Sequence, residues 1–384
     1  VTVTASSADQ INDLAMFQAD ELNKLVTGME IRFEGDSNTV VGLRGVGTFQ
    51  QQSEPARVGT YMDDFYMASQ ASFALSSMFD MCMVQVLKGP QGTLYGQPSP
   101  TGALVMQSAD PNFEGINGFV QASLVDPSGY NVQGAVNVPV TDTLAVRFAA
   151  LSDDRETGTK NPVRNLDEER NRTGYRLKVL WEPTDTFSAK LGYHYMETDN
   201  SDTYRILETI DRDLANFDID SDDRVAIADA RDEMRSKEDT FITAKLDWAI
   251  GDVDVSWFSG TLESIQESVG DQDNTDLPIA TINVDTDYGD GLDEWQHELR
   301  VSGTAFDSWD WTVGAYYGTA FSQTDVVVNQ HIVGTGVFPF TLDIPIDSTT
   351  KAIFTHNTIA LSEDTELTIG LRYNNFEQDA GNIQ

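Results

Sequence analysis

Cysteine is all but missing: Cys82 is the only one in 384 residues, so no intrachain disulfide can form and the redox compartment is left open. Positive charge is scarce as well, with 24 Lys and Arg against 62 Asp and Glu and a formal charge of −38. A phosphate backbone would be repelled by such a surface, and no basic stripe offsets it, which argues against a nucleic-acid partner. No run of about 18 apolar residues occurs, which excludes a helical membrane span but not a barrel, whose strands hide their hydrophobicity in alternation. The four histidines, His194, His297, His331 and His356, lack metal-ligand spacing, and neither a nucleophile elbow nor a phosphate-binding glycine loop is found. The expectation is a protein that is not an enzyme. Cys82 falls in an apolar stretch and is expected to be packed there.

What is present divides at Glu114, where the texture changes abruptly, giving an expected domain of residues 1–114 and another of residues 115–384. In the first, Asp20 can cap a short helix in which Leu22, Leu25 and Val26 share a face and Gly28 supplies the left-handed stop. Short strands are predicted at Met29–Phe33, Val40–Leu43, Val58–Met62 and Val84–Leu87, the make-up of a small α+β domain.

From Gly118 the chain reads as hairpins whose connections alternate between tight and long. Tight turns are predicted at Val140–Thr143, Glu182–Asp185, Ile250–Asp252, Phe306–Ser308 and Ser362–Asp364. Long acidic loops are predicted at Asp153–Asn171, Met196–Glu238, Ser264–Asp293 and Gln323–Ser348. Side chains alternate with period two: Tyr175, Leu177, Val179 and Trp181 face one way, Arg176 and Lys178 the other. The same division places Phe187, Ala189, Leu191, Tyr193 and Tyr195 toward lipid and Lys190 and His194 toward a lumen, with His297 also read as lumenal. Phe148 against Arg147 repeats it. Trp181, Trp248, Trp257, Trp309 and Trp311 lie near the short turns, as an interfacial girdle requires. A soluble β-sandwich would not alternate its loop lengths this regularly or run its strands this long.

Residues 84–96 read Val-Gln-Val-Leu-Lys-Gly-Pro-Gln-Gly-Thr-Leu-Tyr-Gly. With Leu43-Arg44-Gly45-Val46-Gly47, Tyr61-Met62-Asp63-Asp64-Phe65-Tyr66 and Thr101-Gly102-Ala103, this string resembles the plug domain of TonB-dependent outer-membrane receptors. Tyr61-Met62-Asp63-Asp64 also spells a reverse-transcriptase metal motif. That reading is set aside, because a polymerase needs further carboxylates on a palm sheet and a basic template channel. The resemblance implies a mainly β protein: a small α+β plug inside a transmembrane antiparallel β-barrel. Roughly eleven strands can be counted where plugged transporters use about 22, so the barrel is incomplete, about half of it. It implies a plug motif and plug–barrel locking through Arg44, Lys88, Gly89, Pro90, Gly92, Tyr95 and Gly96, the cations pairing with glutamates of the wall. Lys88 replaces a more usual arginine and loses its bidentate fork. Val1–Ala5 is either the TonB box or the plug's first strand; the spacing favours the strand, with the box upstream.

The implied function is TonB-dependent active import of an iron-siderophore or other bulky nutrient across the outer membrane of a Gram-negative bacterium. The implied partners are TonB with its inner-membrane energising complex, outer-membrane lipid and lipopolysaccharide, and the imported ligand. The alternative is a passive plugged porin or structural surface protein that has lost coupling, which the departures at Lys88, Gln97 and Ala103 favour. An acidic vestibule disfavours strongly anionic ligands unless bound cations mediate. No cofactor is expected apart from Ca2+ in the outer loops, where Asp218, Asp220, Asp222 and Asp229 have calcium-loop spacing, although Asp223 replaces the usual glycine.

Overall fold

Alternating side chains and tight turns build most of this molecule, and a computed structural model gives their arrangement. It describes residues 2–14, 16, 19–34, 38–48, 57–67, 78–89, 100–161, 166–201, 224–225, 234–271, 282–286, 292–332, 336–362 and 364–381.

The N-terminal portion holds β1 (Thr2–Ser7), α1 (Ala8–Asp13), a 3-10 helix (Ala19–Lys24), β2 (Met29–Glu34), β3 (Asn38–Leu43) and β4 (Val46–Thr48). It continues with β5 (Val58–Met62), β6 (Phe65–Tyr66), β7 (Met81–Lys88) and β8 (Gly102–Ser108). The 3-10 helix buries Leu22, the following turn buries Val26, and Gly28 at φ 78° ends the segment, its carbonyl taking the Arg44 N–H at 2.7 Å. Two sheets result, β2-β3-β4 and β1-β7-β8-β5-β6. β1 is an edge strand that pairs with β7 alone, from Thr2 opposite Lys88 to Ser7 opposite Met83.

The wall begins with β9 (Asn117–Leu124), β10 (Gly129–Thr141), β11 (Leu144–Asn161), β12 (Leu166–Thr184) and β13 (Phe187–Asn200). After β14 (Arg224–Val225) come β15 (Met234–Ile250), β16 (Val253–Asp271), β17 (Ile282–Thr286) and β18 (Leu292–Ala305). β19 (Trp309–Ile332), β20 (Gly336–Ser362) and β21 (Thr365–Ala380) finish it. All thirteen join one sheet, in which eleven long strands form an antiparallel meander and the short β14 and β17 are additions. β9 and β21 each keep one edge unpaired by the described residues, so the sheet is not closed within this chain.

The tight turns fall where local sequence puts them, between β10 and β11, β12 and β13, β15 and β16, β18 and β19, and β20 and β21. The expected long loops are shorter than predicted. β11 and β12 run on to Asn161 and from Leu166, and β19 and β20 to Ile332 and from Gly336. Along β11 and β12 polar residues occupy both faces of the extensions, so the apolar alternation lapses although the backbone ladder continues; acidity there marks where a strand leaves lipid rather than where it ends.

Facing follows the period of two. Tyr175, Leu177, Trp181, Leu191 and Tyr193 are exposed outward, while Arg147, Arg176, Lys178 and His194 are buried inward. Trp181, Phe187 and Trp248 form an edge-to-face row beside the short turns, with ring centroids 6.0 and 6.4 Å apart. His297 is a correction: it lies on the outward face of β18 between exposed Trp295 and Leu299, its ring stacked 6.5 Å from Trp257. Cys82 is another. It is exposed where β7 slips register against β8 between Met81 and Met83, because the bulge turns its side chain off the packed face.

One apolar core spans plug and wall. Leu22, Met62, Phe65 and Phe79 from the plug share it with Leu151, Met196, Phe241, Phe258 and Leu262 from the inner faces of β11, β13, β15 and β16. The N-terminal domain is therefore seated in the wall.

Candidate functional site: the seat of the plug

Between β5 and β6 the chain reverses through Asp63 and Asp64, both left-handed (φ 48° and 70°), a conformation that aspartate tolerates better than most residues. The reversal drives Asp63 into the protein. Its N–H donates to Met106 O at 3.0 Å, and the Ser108 N–H and hydroxyl donate to its carboxylate at 2.8 and 2.6 Å. From β12, Lys178 Nζ comes within 3.0 Å of Asp63 Oδ2 and 3.0 Å of Asp110 Oδ1 and donates to Ser108 O at 3.2 Å. Two of those contacts are hydrogen bonds, to Asp110 and Ser108, and the third is the ion pair with Asp63. Burial alone would raise the Asp63 pKa; Lys178, then His194 and Arg176, together with the Ser108 hydrogen bond, outweigh it and hold the carboxyl well below its ordinary range.

Next along the wall, Arg176 lies 4.4 Å over the Phe79 ring and donates to Phe79 O at 2.6 Å and to His194 Nδ1 at 2.9 Å. Because Nδ1 accepts, a neutral His194 carries its proton on Nε2, which faces Asp63 Oδ2 at 3.4 Å. Arg147 of β11 grips Asp80 with Nε–Oδ2 at 2.8 Å and a second, parallel bond through Nη2. Lys190 of β13 pairs with Asp110, and Lys245 of β15 with Asp64 at 2.7 Å.

Polar and apolar contacts complete the seat. The Gln296 side chain of β18 accepts the Tyr66 N–H at 3.0 Å and donates to the Tyr66 carbonyl, as a neighbouring strand would. Burial and the nearby Glu294 push the Tyr66 phenol up, so it stays protonated. Phe65 meets Phe241 edge to face at 5.0 Å and lies over Gly260, where a Cβ would come within 2.5 Å of its ring. At the exit from the plug, Asn137 of β10 accepts the Asn112 N–H at 2.9 Å and donates to the Asn112 and Gly115 carbonyls, both at 3.0 Å.

Among the described residues, the plug-to-wall ion pairs place cations on the wall and carboxylates on the plug. Arg44 is exposed at φ 55°, and Lys88 donates at 2.8 Å to Thr27 O, inside the plug. Inward-facing Arg and Lys on β11 to β15 supply the positive charge instead, and a charge facing a plugged lumen needs a counter-charge. Gly89 adopts φ 110° and its N–H reaches Thr101 O at 2.9 Å. Pro90, Gly92, Tyr95 and Gly96 lie outside the described residues, as do Asp218, Asp220, Asp222 and Asp229.

The missed residues are Asp63, Asp64, Asp80, Asp110 and Gln296. Inward-facing Arg147, Arg176, Lys178 and Lys190 were the available signal that plug carboxylates must oppose them.

Comparison with known proteins agrees with a plug domain followed by part of a barrel. Residues 1–103 match the family described as TonB-dependent Receptor Plug Domain. The pesticin receptor of Yersinia pestis is 26% identical over 170 residues, 44% of this chain and 25% of that protein. The catecholate siderophore receptor Fiu of Escherichia coli K12 is 29% identical over 172 residues, 43% of this chain and 21% of that protein. The chain thus aligns with about a quarter of the length of these curated relatives. Among solved structures, the ferric yersiniabactin uptake receptor FyuA of Yersinia pestis superposes with a TM-score of 0.79 at 16% identity, covering 99% of this chain and 61% of that one. The open form of the ferric-catecholate import receptor Fiu gives 0.75 at 17% identity, covering 99% and 60%.

Proposed function

The chain is the plug and part of the barrel of a TonB-dependent receptor of the Gram-negative outer membrane, and we propose that the protein imports a scarce, bulky nutrient by TonB-driven displacement of that plug. The observation that carries this reading is the uneven attachment of the plug. The described ion pairs to the wall engage Asp63, Asp64, Asp80 and Asp110, on or beside β5 to β8. β1, by contrast, is bonded along one edge to β7. A pull from the N-terminal side meets an unzippable edge strand before it meets the ionic seat. TonB would engage by adding a strand to an extended segment of the receptor, and the energy is that of the inner membrane.

The ligand class we favour is a ferric siderophore, since relatives are named for ferric yersiniabactin uptake and ferric-catecholate import. Lipid and lipopolysaccharide surround the outward aromatic face, and the wall and plug serve transport with Arg44, Lys88 and the glycine string as the plug's internal frame. The test is uptake of a radiolabelled ferric siderophore by cells that express the full receptor, with and without TonB. Accumulation that needs TonB and stops with a protonophore is expected; accumulation that survives both identifies a passive plugged porin.

A further inference from the structure

The wall cations of the seat take their counter-charges from the plug. Arg147 has Asp80, Lys178 has Asp63 and Asp110, Lys190 has Asp110, and Lys245 has Asp64, while Arg176 is bonded to the Phe79 carbonyl. The inner face of the wall offers no carboxylate at that level. From Ala145 to Leu151 on β11, Gly174 to Leu180 on β12, Lys190 to Met196 on β13 and Phe241 to Lys245 on β15, the inward residues are neutral or basic. Asp153, above them, is held by Arg155 and Arg172, and Asp247 lies below, nearer the short turn. The basic strip ends at β18, where Glu294 and Glu298 alternate with the outward Trp295 and Leu299.

Within the strip, Lys190 stands directly opposite Lys245 across β13 and β15. Two like charges so placed repel, and the plug relieves them by presenting Asp110 to one and Asp64 to the other. These are also the wet pairs: the lysines are 31% exposed and their partners 43% and 42%, against 10% and 3% for Arg147 and Asp80. A cavity lined by Asp64, Lys245, Tyr66, Phe258 and Tyr316 opens there between plug and wall. Water therefore reaches the β15 end of the strip while the plug is seated.

Displacing the plug withdraws its carboxylates together and leaves Arg147, Arg176, Lys178, Lys190 and Lys245 facing one opened gap. Their charge must then be met from solution, and a gap lined with one sign concentrates ions of the other. In a chain of formal charge −38, a solute moving inward to the seat meets the opposite sign.

We propose that the carboxylates on or beside β5 to β8 mask an anion-selective strip on β11 to β15, so that the path opened by plug displacement prefers anions to cations. The inference rests on the import reading above and deepens it: the plug carboxylates are resident counter-ions, and mobile anions replace them while the path is open.

Full-length receptor in a planar bilayer is opened with urea, which loosens packed interfaces, and the reversal potential is read in a KCl gradient. The chloride-to-potassium permeability ratio is expected to be several-fold above one. It should be larger at about 0.01 M salt than at about 1 M, where the screening length falls from about 30 to about 3 Å. K190Q/K245Q should lower the ratio about twofold or more; the carboxylates that this variant leaves behind are wet enough to stay hydrated, so the receptor still folds. A conductance that is unselective or prefers potassium, a ratio that K190Q/K245Q leaves unchanged, or no conductance in urea overturns the proposal. The bilayer contains no TonB, so such a failure is separate from a loss of TonB-dependent uptake, which would overturn the import reading instead.

Discussion

Arg147 and Asp80 offer the cleanest measure of how firmly the plug is held. Their side chains are 10% and 3% exposed, and the pair is bidentate, so solvent screens it little. Removing one charge leaves the other buried without its counter-ion, which costs about 3–5 kcal/mol in such sites. Asp80→Asn is the appropriate change because Asp80 is left-handed at φ 49°, a conformation that asparagine also tolerates, so backbone strain is not added. Asparagine keeps one acceptor for the guanidinium, which puts the expected loss near the lower end, about 3 kcal/mol. Arg147→Gln should cost a similar amount. Combined, they leave two neutral amides able to bond each other, so the double variant should be less damaged than the sum by at least about 2 kcal/mol. Denaturant unfolding of the purified full receptor gives the cycle, and single-channel conductance in planar bilayers reports plug seating. A coupling below about 0.5 kcal/mol, with no added conductance in either single variant, would refute the claim that this ion pair holds the plug.

Three further outcomes follow from the same geometry. In a Cys82→Ser background, cysteines at Ser6 and Val84, which face each other across β1 and β7, should form a disulfide that abolishes uptake and releases it on reduction; uptake unaffected by the cross-link would mean that β1 need not leave β7. Gly260→Leu should clash with the Phe65 ring and destabilise plug docking by about 1–3 kcal/mol, read as increased proteolysis of the plug, whereas an unchanged digestion pattern contradicts the close approach. For Asp63 the folded pKa is depressed, so its stabilisation is complete above the unfolded value of 3.8 and is lost as pH falls through the lower folded value. The melting temperature of the wild type should therefore exceed that of Asp63→Asn by a constant margin from pH 8 to 5, the margin shrinking only in stronger acid; a margin that vanishes near pH 6 would contradict the ion-pair account.

Much of the fold was legible because it is local. Period-two alternation assigned Tyr175 and Leu177 to lipid and Arg176 and Lys178 to the lumen from sequence neighbours alone, and turn residues fixed the tight reversals. The loop boundaries failed where that signal fails, since acidic residues on strands above the membrane look like loop. His297 was misassigned because a polar residue within an apolar stripe gives no hint that its ring stacks on Trp257 across the strand pair. The site was half legible: the wall cations were recognised as inward-facing, but their carboxylates were not identified.

Chain order alone thus settled which segments are strands, where they turn and which face of each avoids water, since these depend on backbone period and side-chain polarity within a few residues. Only the folded arrangement decided which plug carboxylates meet the wall cations, as Asp80 meets Arg147 and Asp63 meets Lys178. Those outcomes depend on register accumulated across successive hairpins and on how one domain is rotated inside another, as when Arg176 reaches Phe79 over 97 positions of sequence. No local pattern encodes such a meeting; it is set by the packing that brings the two surfaces together.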